Sequence, residues 1–111
     1  EQYSFGSITI LGRQYTTDLK IIHGKVYADW WRTSGHSVAL DDIADIISAQ
    51  PDYLVIGSGS SGLMKVSGPL VKHLVASGIQ LVEEPTSRAI QTFNQMYAAG
   101  KNVAGGFHLT C

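Results

Sequence analysis

At 111 residues, 44% hydrophobic and 15% charged, the chain has the size and composition of one globular domain, spanning 1–111, with no room for a second. Its formal net charge of -1, from 8 Lys+Arg against 9 Asp+Glu, supplies no field to hold nucleic acid or an anionic membrane, so neither is expected as a partner. The lone cysteine, Cys111, excludes an internal disulfide and suits a cytoplasmic setting, and no apolar run approaches the ~20 residues of a bilayer span, so no membrane insertion is expected.

Glu1-Gln2-Tyr3-Ser4 carries no signal-type apolar region, although a chain that starts at Glu1 gives that absence little weight. From Ser7 to Asp29 short runs read as strands: Ile8 and Ile10 around Thr9, Gln14-Tyr15-Thr16, Leu19 to Ile22, and Lys25 to Ala28. Gly12-Arg13 and His23-Gly24 separate them, and Gly24 can take the positive φ of a tight hairpin, with His23 as its turn partner. The simplest arrangement is an antiparallel meander.

Asp29-Trp30-Trp31-Arg32-Thr33-Ser34-Gly35-His36 carries both tryptophans beside an arginine, a histidine and a glycine hinge. Trp30, Trp31, Arg32 and His36 are therefore interaction candidates, since Trp and Arg are enriched at binding hot spots. In the plainer reading one tryptophan covers a sheet edge while Arg32 pairs with a carboxylate. Strand alternation would turn one of two adjacent tryptophans outward.

Asp41-Asp42 suits a helix N-terminus, and Ile43, Ile46 and Ile47 follow at i, i+3, i+4, so a short amphipathic helix is expected up to Pro51. Asp41 and Asp45 fall on its solvent side and lack the spacing of a calcium loop, so no metal is expected. Tyr53-Leu54-Val55-Ile56 is a buried central strand that breaks into Gly57-Ser58-Gly59-Ser60-Ser61-Gly62. A loop at the carboxyl end of a parallel strand is where α/β proteins place ligands, which makes Gly57, Ser58, Gly59, Ser60, Ser61 and Gly62 the ligand-binding candidates.

Ser67-Gly68-Pro69 reads as a helix start with Ser67 as N-cap; Leu70, Val71, Leu74 and Val75 form its stripe and Gly78 its end. Lys72 and His73 then face water. Ile79 to Val82 is the next strand, and Pro85-Thr86 the next turn, with Thr86 capping. The last helix carries a stripe of Ala89, Ile90, Phe93 and Tyr97 and closes at Gly100. Asn94, an amide among these apolar positions, is expected to hydrogen-bond backbone in the adjoining loop. Val103 to Leu109 is the final strand. This half alternates strand and helix, a βαβαβ unit with parallel pairing.

Gly57, Gly59 and Gly62 match G-x-G-x-x-G, with Glu83 where a ribose-binding acid would stand. A dinucleotide site needs its helix to open at the third glycine, yet Leu63-Met64-Lys65-Val66 intervene, and the meander leaves no second nucleotide half. No cofactor is expected; the glycines serve close packing, with Ser58, Ser60 and Ser61 able to meet a small anion. Nor is a catalytic residue assigned. Ser58 is outside a nucleophile elbow, Glu83 and Glu84 point to opposite faces, and His36, His73 and His108 lack zinc spacing.

Taken together, Val55-Ile56-Gly57-Ser58-Gly59, Leu63-Met64-Lys65-Val66, Gly78-Ile79, Thr86 with Ala89, Phe93-Asn94, Gly100 and Val103-Ala104-Gly105-Gly106-Phe107-His108-Leu109-Thr110-Cys111 resemble a small family of unknown biochemistry. That family includes the adipogenesis-associated domain protein of animals and the mitochondrial complex I assembly factor 3; Trp31-Arg32 and Gly35-His36 match more loosely. The resemblance implies an α/β domain whose mixed central sheet is covered by helices, and no reaction. Its assembly-factor branch favours a non-enzymatic interaction or assembly domain with a protein partner or self-association. The rival expectation is a small-molecule protein or enzyme using the Gly57-Gly62 loop.

Overall fold

Turn chemistry shapes the first third of the chain. In the computed structural model, which describes residues 2–32 and 36–110, strands β1 (Gln2–Ser4), β2 (Ser7–Ile10) and β3 (Arg13–Tyr15) form an antiparallel sheet in that order. Strands β4 (Leu19–Ile22) and β5 (Lys25–Tyr27) form the next hairpin, whose turn places His23 at φ 51° and Gly24 at φ 75°, the paired positive angles of a tight antiparallel turn. The expected meander is present but divided, because β4 leaves the first sheet after Tyr15 and joins a second.

Strand β6 (Ser37–Val38) precedes a 3-10 turn (Leu40–Ile43) that runs into helix α1 (Ala44–Ala49). The Asp42 carboxylate accepts the Ala39 N–H at 2.8 Å, so this acid closes the turn in the way its position suggests. Strand β7 (Tyr53–Ser58) is followed by the short β8 (Lys65–Val66), which pairs in parallel with β6. Helix α2 (Gly68–Ala76) starts at Ser67, whose hydroxyl accepts the Leu70 N–H. Strand β9 (Gln80–Glu84), helix α3 (Thr86–Ala98) and strand β10 (Val103–His108) complete the chain.

The central sheet has the order β5-β4-β10-β7-β9. Strand β7 runs parallel to both β9 and β10, whereas β4 runs antiparallel to β10 and to β5. The sheet is thus mixed, and the α/β architecture joins the two halves expected from the sequence. Alternation along β7 divides the core between two faces. Leu54 and Ile56 meet Ile43, Ile46, Leu70, Leu74 and Trp30 on one side, while Val55 meets Leu19, Ile21, Ile90, Phe93 and Phe107 on the other. Gly106 of β10 is small for a reason visible here, since a Cβ would stand 2.9 Å from the Trp30 ring.

The helical stripes are narrower than their periodicity suggests. Leu70 and Leu74 are buried, but Val71 and Val75 are exposed, Val75 at 73%. In α3, Ala89, Ile90 and Phe93 are buried while Tyr97 lies 56% open. Asn94 is exposed and its side chain hydrogen-bonds no other described residue, so the expected bond to loop backbone is absent.

Candidate functional site

Strands β7 and β10 lie side by side and run parallel, so their carboxyl ends come together at one end of the central sheet, the end where α/β sheets place ligands. Ser58 and His108 pair at this point. The glycine loop begins here, yet its polar groups face the protein. The Gly59 N–H donates to Thr86 Oγ1 at 2.9 Å, the Ser60 N–H to the Thr110 carbonyl at 2.9 Å, and the Gly62 N–H to the Gly59 carbonyl at 3.3 Å. Ser58 Oγ donates to the Glu84 carbonyl and the Ser58 carbonyl accepts the Met64 N–H. Gly57, Ser58 and Gly59 are buried, with Ser60 and Ser61 alone fully outward in this loop. A Cβ on Gly57 would come within 2.9 Å of both Phe107 and Thr86, which explains the glycine by close packing.

Thr86 was expected to cap α3. The N-cap is Pro85, with no side-chain cap bond, and Thr86 opens the helix as a fully buried residue. Its hydroxyl donates to the His108 carbonyl at 2.5 Å while accepting from Gly59, so it ties the loop, the helix and the last strand together. Glu83, standing where a ribose acid would, accepts the Val66 N–H at 2.8 Å, and Glu84 accepts the Thr92 hydroxyl at 2.7 Å.

Beside this junction the fold assembles a charged cluster with no signature in the sequence. Asp18, just before β4, accepts the His108 ring through Nδ1 at 2.7 Å and Arg32 Nη2 at 2.7 Å on Oδ2, and the Leu109 N–H at 2.8 Å on Oδ1. A carboxylate only accepts, so the His108 proton sits on Nδ1. Burial pushes the Asp18 carboxyl up, but the Leu109 amide, His108 and Arg32, together with the charge His108 carries when protonated, outweigh it and hold Asp18 below its ordinary value of 3.8. Tyr3 reaches the same region from the first sheet, donating its hydroxyl to the Leu109 carbonyl at 2.9 Å. Burial and then the Asp18 charge raise its pKa above 10.0.

An Asp–His pair of this polarity leaves Nε2 as the proton-accepting nitrogen. Nε2 of His108 is buried and hydrogen-bonds no group, so no hydroxyl or thiol among the described residues is placed for a proton relay. The His36 ring approaches edge-on, 5.7 Å between centroids, which joins two histidines that spacing alone had left separate. Among the described residues no three His, Cys, Asp or Glu side chains converge as metal ligands.

The tryptophan segment divides sharply. Trp30 is 4% exposed, its indole N–H donates to the Asp42 carbonyl at 2.9 Å, and Arg32 lies over its ring at 4.7 Å. Trp30 is therefore core and Arg32 pairs with the Asp18 carboxylate, as in the plainer reading, while both border the face around Trp31. Trp31 is 79% exposed and His36 is exposed. Around Trp31 runs a shallow face that includes Tyr27, Asp29 and Asp41, with the Lys20–Asp45 ion pair at its side. Gly35, read as a hinge, lies outside the described residues.

Solved structures share this architecture. The conserved hypothetical protein PH1505 of Pyrococcus horikoshii OT3 superposes with a TM-score of 0.85 at 22% identity, covering 100% of this chain and 98% of its own. A protein called MT938 gives 0.79 at 26% identity, covering 100% and 96%. An outer membrane protein of Bartonella henselae gives 0.84 at 22%, covering 100% and 93%. The low identities make these likenesses of fold. A family model for a protein of unknown function, DUF498/DUF598, matches residues 1–108, and the chain belongs to that family.

Proposed function

We propose that the chain is a non-enzymatic interaction or assembly-type domain that meets a protein partner, or a second copy, through the surface around Trp31. The observation that carries this reading is the contrast between adjacent indoles: Trp30 is core, whereas Trp31 stands 79% open beside the exposed Tyr27. An exposed large aromatic ring next to a rigid, buried anchor has the character of a hot-spot residue. The family that the sequence resembles includes an assembly factor, which supports the same reading. A cytoplasmic setting belongs to the proposal and rests on the single cysteine. The glycine-loop rival has less support, because the Gly59, Ser60 and Gly62 amides are bonded to the protein's own oxygens.

The test compares wild type with Trp31→Ala by thermal melting, by sedimentation over a wide concentration range, and by affinity capture from cells that express the protein. The expected result is an unchanged melt with loss of self-association or of a reproducibly captured partner by about thirtyfold, the equivalent of a 2 kcal/mol hot spot. Association unaffected by Trp31→Ala would overturn the proposal, as would a wild-type chain that stays monomeric and captures nothing.

A further inference from the structure

Division of the N-terminal strands between two sheets opens a recess on the side away from Trp30. Its walls are the β2–β3 end, with Ile10 and Leu11, the β4–β5 hairpin, with Val26, and helix α3, with Phe93 and Tyr97; Phe107 of β10 forms the floor. The volume is about 190 Å³. Phe93 stacks with Tyr97 at 6.1 Å and meets Phe107 edge-on at 5.7 Å, so three aromatic rings stand among the Ile, Leu and Val side chains of the lining. Gly24 in the hairpin turn lets the Tyr97 phenol lie against it, since a Cβ there would stand 2.6 Å from the hydroxyl oxygen.

We infer that this cleft binds a small neutral aromatic molecule with one hydrogen-bonding group, of the size of a phenol or an indole. Size follows from volume. An apolar cavity of about 150 Å³ lined by Leu, Ile and Phe accepts benzene, and this one has room for a ring with a short substituent or a compact bicycle. Neutrality follows from the lining, which contains no Asp, Glu, Lys, Arg or His, so an ionised ligand would lose its hydration without a counter-charge. The polar end is set by Asn94, which belongs to the lining and whose amide bonds no other described residue, with the Tyr97 hydroxyl nearby on the same helix. This explains an amide placed among apolar positions of α3 without any structural bond. A mostly apolar recess with few polar groups is the usual composition of a small-molecule site.

Titration of the intact chain with indole and with p-cresol, followed by calorimetry and by methyl resonances of Ile10 and Val26, tests the inference. Both probes should bind saturably with Kd of roughly 0.1 to 1 mM, the range open to ligands of so few atoms. Benzoate should bind at least about tenfold more weakly. Asn94→Leu, at an exposed position, should leave the melt unchanged, weaken indole and p-cresol by about tenfold and leave toluene unaffected. Val26→Phe, which fills the recess, should abolish binding of all of these probes. The inference is overturned if neither probe saturates, if Asn94→Leu leaves indole and p-cresol binding unchanged, or if Tyr97→Ala disrupts self-association while the probes fail to bind. Trp31→Ala should not alter probe binding, so this inference and the Trp31 proposal fail separately.

Discussion

Thr86 and Gly59 exchange two hydrogen bonds, the Thr86 N–H donating to the Gly59 carbonyl at 3.1 Å and the Gly59 N–H to Thr86 Oγ1 at 2.9 Å. This ring of contacts, extended by the bond from Thr86 Oγ1 to His108, fixes the end of the central strand against the start of α3. Thr86→Val keeps the side-chain shape but strands a buried N–H and a buried carbonyl. The expected loss is about 3 kcal/mol in urea denaturation, more than the ~1 kcal/mol of a lost cap, and Thr86→Ser should recover most of it.

Gly57 adjoins the same junction. Gly57→Ala would press a methyl group onto Phe107 and Thr86 and should cost roughly 1 to 3 kcal/mol. Gly68, where a Cβ meets nothing within 4 Å, provides the control: Gly68→Ala should be neutral or slightly stabilising. Equal effects at the two positions, measured by thermal melts, would remove packing as the reason for Gly57.

Asp18 gives the domain an acid-sensitive point. Its pKa is lower folded than unfolded, so its contribution is complete above the ordinary 3.8 and disappears as the pH falls through the lower folded value. Asp18→Ala leaves Arg32 and His108 buried without their shared acceptor and should cost about 3 to 5 kcal/mol at neutral pH. The difference in unfolding free energy between wild type and variant should narrow as the pH is lowered into this range. A difference that stays constant there would show that the carboxylate charge is not what stabilises the site.

The tryptophans separate by stability as well as by binding. Trp30→Ala removes a core ring and its bond to the Asp42 carbonyl and should cost about 3 to 5 kcal/mol. Trp31→Ala should stay within about 0.5 kcal/mol. Intrinsic fluorescence offers a second measurement: acrylamide should quench the Trp30→Phe variant, which retains Trp31, far more readily than Trp31→Phe.

Much of this architecture is legible in the sequence because it is local. Ser67-Gly68-Pro69 announces its helix, His23-Gly24 its turn, and the apolar run before Gly57 its strand. Periodicity fails where coverage ends. Val75 continues an apolar stripe on α2, but that helix packs near the edge strand β9, which covers only the Leu70 and Leu74 side. Tyr97 lies beyond the sheet, over a turn. Asp18 is not legible in the sequence because nothing near it identifies its role: its partners come from residues 32, 108 and 109. An acid directly before the apolar Leu19–Ile22 strand was the one available hint.

The position of β10 has a consequence for when the molecule can fold. Its residues supply the strand between β4 and β7, and the bond from Leu109 to Asp18 joins positions 91 apart. During synthesis the ribosome therefore releases β4 and β7 long before the strand that belongs between them, leaving two unsatisfied edges on the nascent chain. Long-range closure of this kind slows folding and exposes edges that other chains can occupy. Arrested nascent chains ending before residue 103 should remain protease-sensitive, and protection should arrive abruptly once Val103–His108 clears the exit tunnel.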